Sequence, residues 1–367
     1  MRDTVFIRIN SKPCCDAIAV DLPVTESAPT RKRPTQVDVA RLASVSQPVV
    51  SYVLREGAGA PVAPQTRQRV LDAIATLGYV PDHSARSLRR RRTFTVAGII
   101  PDITNPFYPA FERAIQDVAE PAGFDLITYN TDGDLEKERK CLRSALAGRV
   151  DGVIITPFRV PLYECAQLVE AGIPVVALTS EVPSSDDTPL DTLSIDGIAA
   201  ARVAVDYLID RGHRRIGMVA GEAGTPPRES RVLGYIEALQ RRDLLFDRML
   251  VRGSDFTETG GYDAAAELLR LANPPTAIFA ANDLMALGAM TAIREAGLHI
   301  PDDIAIVGFD DIPAARLVSP ALTTIAQYPD RLGTRAAALL LERLAGAAGP
   351  RYQRIDMPFD LVVRQSA

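Results

Sequence analysis

Gln47, Pro48, Ser51 and Tyr52 recur at spacings that bring them to one face of a helix. The amide of Gln47 can donate and accept at once, which matches the donor and acceptor pair on the major-groove edge of adenine. Pro48 lacks an N–H and offers only apolar contact, for example to a thymine methyl. Tyr52 adds a ring carrying a hydroxyl. This chemistry is the reading of base edges rather than bond breaking.

Two short helices and a tight turn would present that face. Thr35 is placed to cap the first helix, with Asp38 three residues on as its capping-box partner. Val39, Ala40 and Ala43 share one side of it, and Ala43-Ser44-Val45 forms the turn. Ser46 is expected to N-cap the second helix, with Pro48 in its first turn. Val50, Val53 and Leu54 supply the packed side. The spacing predicts a third helix over Thr66–Leu77, with Val70, Ala73, Ile74 and Leu77 inward and Gly78 ending it. A helix-turn-helix head therefore spans 34–80. Thr35, Ser46, Gln47, Pro48, Val49, Ser51 and Tyr52 are its candidate DNA contacts.

Charge distribution agrees. The net charge of −5 conceals 12 Lys/Arg against 4 Asp/Glu over 31–92, and 26 against 38 from Thr93 onward. A basic head on an acidic body suits a module that binds nucleic acid through one part only. Residues 1–33 carry Pro13, Pro23 and Pro29 and no sustained period, and are expected to be a flexible extension. No apolar run reaches membrane-spanning length and no signal-peptide pattern opens the chain, so a cytoplasmic protein is expected. Cys14, Cys15, Cys141 and Cys165 show no metal spacing, and three histidines are few for a zinc site. Cys141 and Cys165 are expected to be buried thiols. No metal or cofactor is expected.

From Thr93 the pattern becomes strand-then-helix. Strands are expected at 95–100, 125–129, 152–156 and 174–178, then at 215–220, 249–251, 277–280 and 304–308. Helices lie between them, including 110–122 and 135–146. This is a parallel α/β core in two similar halves.

The motifs in this order, from Thr35 through Asp82-His83-Ser84-Ala85-Arg86-Ser87-Leu88 and Arg89–Arg92 into the core, resemble the LacI/GalR family of bacterial transcription regulators. The resemblance runs over about 34–365. It implies a helix-turn-helix head joined by a hinge (81–92) to a two-lobed core like that of periplasmic sugar-binding proteins. The first lobe would hold 93–195 with 327–357, and the second 196–326 with 358–367, with crossings near Ile195, Gln327 and Pro358. It implies a homodimeric repressor on a pseudo-palindromic operator, with Leu88 wedged into the minor groove and Arg86 and Arg89 on phosphates.

Ligands of such sheets bind beyond the carboxyl ends of the strands. There the Asn105-Pro106-Phe107-Tyr108 loop resembles the family's aromatic loop, so Phe107 and Tyr108 are expected to stack on a ring. The loop Gly221–Arg231 resembles the one carrying an arginine into the cleft, which makes Arg231 a donor to the effector. Phe256, Asn282 and Asp310 match further pocket positions, and Asp196 and Gln327 lie at the crossings. The effector implied is a small polar ring compound such as a sugar.

Gly217-x-x-x-Gly221-x-x-Gly224 faintly resembles a dinucleotide loop, but no Tyr-x-x-x-Lys pair, P-loop or nucleophile elbow accompanies it, so no enzyme is expected. A periplasmic binding protein would lack the head. Ser44 stands where the family has a turn glycine and Ala63 where a serine caps the third helix. Thr225-Pro226-Pro227 is unlike the matching stretch of the family's purine-responsive members, which puts a purine effector in doubt.

Overall fold

The computed structural model describes residues 34–54, 62–80, 92–180 and 189–367. The chain divides into two compact units, one ending at His83 and the other beginning at Ser84.

The described residues of the first unit form three helices: α1 (Gln36–Leu42), α2 (Gln47–Val53) and α3 (Pro64–Leu77). They enclose a small core of Val39, Ala40, Ala43, Val50, Val53, Val70, Ala73 and Tyr79. Thr35 and Asp38 form the full capping box at the start of α1. Ser44 takes up a positive φ of 50° in the turn, a conformation glycine adopts more cheaply. Ser46 occupies the N-cap of α2, but its hydroxyl makes no capping hydrogen bond; Pro48 at the helix start removes one N–H that would need a partner. At the end of α3, Gly78 is left-handed (φ 59°) and Tyr79 N–H closes back on the Ile74 carbonyl, so the helix stops there.

The second unit is built on two six-stranded sheets. Sheet one has β1 (Thr95–Ile100), β2 (Asp125–Asn130), β3 (Gly152–Ile155), β4 (Val175–Thr179), β5 (Asp191–Ser194) and β11 (Arg354–Asp356), in the order β11-β5-β4-β3-β1-β2. Sheet two has β6 (Ile216–Val219), β7 (Val251–Arg252), β8 (Ala277–Ala280), β9 (Ala305–Asp310), β10 (Thr323–Ala326) and β12 (Asp360–Val362), in the order β12-β10-β9-β8-β6-β7. All neighbours are parallel except β10 and β12. Helices α4 (Phe107–Ala119), α5 (Leu135–Ser144), α6 (Leu162–Glu170) and α11 (Pro329–Leu344) accompany sheet one. Helices α7 (Gly197–Asp210), α8 (Pro226–Arg241), α9 (Glu258–Leu269) and α10 (Asp283–Glu295) accompany sheet two. The chain leaves sheet one after β5, returns after β10, and passes from β11 to β12 at the end.

One expected strand needs correction, and four strands were not expected. Met249 lies in a 3-10 turn, Arg248–Leu250, rather than a strand, because the Asp247 carboxylate accepts from Met249 N–H and holds the chain curled. Four strands, β5, β10, β11 and β12, carried no readable signal. β5 (Asp-Thr-Leu-Ser) is polar in sequence yet wholly buried, since Arg343 grips Asp191 through two bonds of 2.7 and 2.8 Å and Gln353 N–H adds a third of 2.7 Å. No helix among the described residues is long and apolar enough to cross a membrane. Cys141 and Cys165 are buried free thiols.

Candidate functional site

In the first unit, α2 buries Val50 and Val53 and turns Gln47, Pro48 and Tyr52 to solvent, with Val49 and Ser51 half-buried. Tyr52 keeps 44% of its surface exposed although it is a large aromatic. One side of the helix is fixed by packing and the other presents an amide, an apolar ring and a phenol. Thr35 is exposed at the start of α1. The hinge residues Arg86, Leu88 and Arg89 lie outside the described residues.

In the second unit a cavity of about 300 Å3 lies between the sheets. Each sheet has a point where strand order reverses, between β1 and β3 and between β6 and β8. Loops from these carboxyl ends diverge and leave a crevice, and here the two crevices face each other. Phe107 and Tyr108 begin α4 after β1, their rings meeting edge to face at 5.2 Å. The Asn105 carboxamide accepts from Phe107 N–H at 3.0 Å and so shapes the turn that aims them.

Arg231 comes from α8, after β6. It is only 7% exposed. Its guanidinium lies 3.8 Å from the centroid of the Phe309 ring and 3.9 Å from the Asp310 carboxylate, and donates to the Ala281 carbonyl. Its Nε has no hydrogen-bond partner among the described residues, although it is buried. Asp310, at the end of β9, accepts from Gln327, with Asn105 as a further hydrogen-bond donor from the first lobe. Burial pushes the Asp310 carboxyl up to about 6, against the opposing pull of Arg231 and these donors. Burial likewise raises the Tyr108 hydroxyl.

Phe256 sits in a left-handed conformation (φ 66°), and Asn282 Nδ2 donates to its carbonyl at 2.9 Å. The same Asn282 caps α10 through Met285 N–H at 2.8 Å. Asn282 thus lines the cavity with both ends of its amide already engaged. The Phe256 ring fits against Gly221: a Cβ there would fall 1.9 Å from the ring.

Phe107, Tyr108, Arg231, Phe256, Asn282, Asp310 and Gln327 all line this cavity. Asp196 does not. It is exposed, and its carboxylate is engaged in capping α7 through Ala199 N–H at 2.8 Å. Asp283 is also absent from the lining; fully buried, it ties Thr324 Oγ1 and Ile312 N–H together at 2.6 and 2.9 Å.

Several lining residues escaped the sequence reading, among them Asn105, Thr156, Phe158, Glu222 and Asp255. All follow strand ends, so the carboxyl-end rule applied to every strand would have found them. Phe158 meets Phe256 edge to face at 5.5 Å, joining the lobes. Its loop is held by Glu138 on α5, whose buried carboxylate accepts the N–H groups of Phe158, Arg159 and Val160 at 2.8, 3.0 and 2.6 Å.

A helix-turn-helix unit followed by a two-lobed α/β unit with a polar cleft defines a DNA-binding regulator that answers to a small molecule. Residues 35–82 match the family described as bacterial regulatory proteins, lacI family, and 205–367 match the periplasmic binding protein-like domain. The chain is 33% identical over 332 residues to the HTH-type transcriptional repressor CytR of Escherichia coli (strain K12), covering 90% of this chain and 96% of that one. To the ribose operon repressor of Halalkalibacterium halodurans it is 36% identical over 329 residues, covering 90% and 96%. Among solved structures, the lac repressor dimer bound to operator and the anti-inducer ONPF superposes with a TM-score of 0.79 at 28% identity, over 91% of this chain and 99% of that one. The chain belongs to the lacI family of bacterial regulatory proteins. It is a DNA-binding transcription regulator and not an enzyme.

Proposed function

We propose that the protein is a cytoplasmic repressor that binds a pseudo-palindromic operator as a homodimer and releases or grips it according to a small polar ring compound held in the cleft. Residues 34–80 form the reading head and 81–92 the hinge. In this reading 93–195 with 327–357 make one lobe, and 196–326 with 358–367 the other. Gln47 and Tyr52 read base edges while Thr35, Ser46, Pro48, Val49 and Ser51 complete the contact face. Leu88 is the minor-groove wedge, flanked by Arg86 and Arg89 on phosphates.

The observation that carries the effector assignment is the state of Arg231 and Thr156. Both line the cavity, both are buried, and among the described residues Arg231 Nε and Thr156 Oγ1 lack a hydrogen-bond partner. Buried polar groups without partners are costly, and a ligand carrying hydroxyl or carbonyl oxygens would satisfy them. Phe107, Tyr108 and Phe256 supply ring surface, Asp310 and Gln327 direct the remaining polar contacts, and Asn282 holds the Phe256 backbone and the start of α10 in place on the cavity wall. Because these residues come from both lobes, the ligand favours one lobe arrangement by its differential affinity for the two states.

Arg231→Ala is the test. Operator binding without effector is expected to persist, and the response of operator affinity to effector is expected to vanish. An unchanged response with unchanged effector affinity removes the cleft as the effector site.

A further inference from the structure

The charge around the cleft restricts what it admits. Among the described residues, the lining side chains that carry charge are five acids, Asp102, Asp132, Glu222, Asp255 and Asp310, and one base, Arg231. Asp132, Glu222 and Asp255 are exposed at the rim and Asp102 is half-exposed there, while Asp310 is buried within. Two rim acids have cationic partners, Lys137 for Asp132 and Arg159 for Glu222. Crediting both, the acids still outnumber the bases. The one base inside faces Asp310 and already donates to a backbone carbonyl. It has a free N–H to offer but little uncompensated positive charge.

From this we propose that the cleft selects an uncharged or cationic polyhydroxylated ring and rejects phosphorylated and carboxylate-bearing forms of the same compound. This rests on the reading of the cleft as the effector site. An entering phosphate would pass the acidic rim and come to rest beside Asp310, where low dielectric strengthens the repulsion. Hydroxyl groups meet no such barrier: they can accept from Arg231 Nε and exchange a hydrogen bond with Thr156 Oγ1, the two buried polar atoms of the cavity lining that lack partners among the described residues.

The potential inside the cleft can be measured before any effector is identified. In a full-length protein with Cys14→Ser and Cys15→Ser, the variant Thr156→Cys places a single thiol on the cavity wall, since Cys141 and Cys165 are buried. Its reaction rates with a cationic and an anionic methanethiosulfonate, each divided by the rate with free 2-mercaptoethanol, report the local potential. The cationic reagent is expected to be favoured by on the order of tenfold at low ionic strength, and less so in high salt. A ratio at or below one overturns the proposal. Thr179→Cys, on another part of the wall, serves where Thr156→Cys fails to fold.

Matched probes separate this inference from the reading beneath it. Ribose with ribose 5-phosphate, and glucose with glucose 6-phosphate, are compared by calorimetry on the parent protein and on Arg231→Ala. Tighter binding of the neutral member, lost in Arg231→Ala, is the expected result. Tighter binding of the phosphate, equally lost in that variant, overturns the charge selection and leaves the cleft reading standing. Binding indifferent to Arg231→Ala removes the cleft reading itself.

Discussion

Arg159 and Glu222 form an ion pair that joins the two lobes, the first from the loop after β3 and the second from the loop after β6. Beside it, Phe158 and Phe256 make the apolar counterpart of the same contact. Both partners of the ion pair keep solvent contact, at 29% and 53% side-chain exposure, so its contribution is roughly 0–1 kcal/mol and sensitive to salt. That is enough to shift a balance between open and closed lobes by several-fold without affecting folding. Arg159→Ala and Glu222→Ala are each expected to widen the effector-free molecule in small-angle scattering, and the charge swap Arg159→Glu with Glu222→Arg is expected to restore it. No change in either single variant would mean that the pair does not hold the lobes together.

Asp310 makes stability depend on pH. Its folded value of about 6 lies above the ordinary carboxylate range, because burial disfavours the charged form. The stabilisation linked to the proton is present at about pH 4 and is lost as pH rises to about 6, amounting to about 3 kcal/mol at most. Asp310→Asn cannot titrate. Urea unfolding of both proteins from pH 4 to 7 should therefore show the parent losing ground to the variant over that window. Parallel curves would place the carboxyl in an ordinary environment.

Gly221 is needed where it stands because the Phe256 ring occupies the space of its missing Cβ. Gly221→Ala is expected to cost about 1–3 kcal/mol through overpacking and to displace Phe256 from the cavity wall. Calorimetry should register weaker effector binding by more than the stability loss explains. An alanine variant that binds effector like the parent would show that the ring is free to move.

Asp191 and Arg343 form a buried pair, with 1% and 12% side-chain exposure. Removing one partner strands the other charge, so Asp191→Ala is expected to destabilise the second unit by about 3–5 kcal/mol. Chemical denaturation measures this directly, and a loss below about 1 kcal/mol, the range of exposed pairs, contradicts it.

Gln47→Ala is expected to cost about 1–3 kcal/mol at one base position and nothing on random DNA. Fluorescence anisotropy on operator, on single-base operator variants and on random duplex distinguishes the two. Equal losses on all three would reduce Gln47 to a backbone contact.

The sequence by itself determined the elements whose signal is local. The capping box at Thr35 and Asp38, the apolar spacing of Val50 and Val53, and Gly78 after α3 made the head readable, because helix caps and helical periodicity need only neighbouring residues. The apolar runs of β1, β3 and β8 were equally legible, since strands buried on both faces are continuous in hydrophobicity. Strand β5 was not, because its burial depends on Arg343, 152 residues away in the chain. Asp196 and Asp310 both follow strands, and local residue pattern alone does not separate them; only the family resemblance singled out Asp310. The tertiary structure alone turned one outward to cap a helix and buried the other beside Arg231. Phe158 and Phe256 likewise meet only because two separate sheets bring their strand ends face to face. Contacts between distant segments are decided by packing, and local residue pattern carries no record of them.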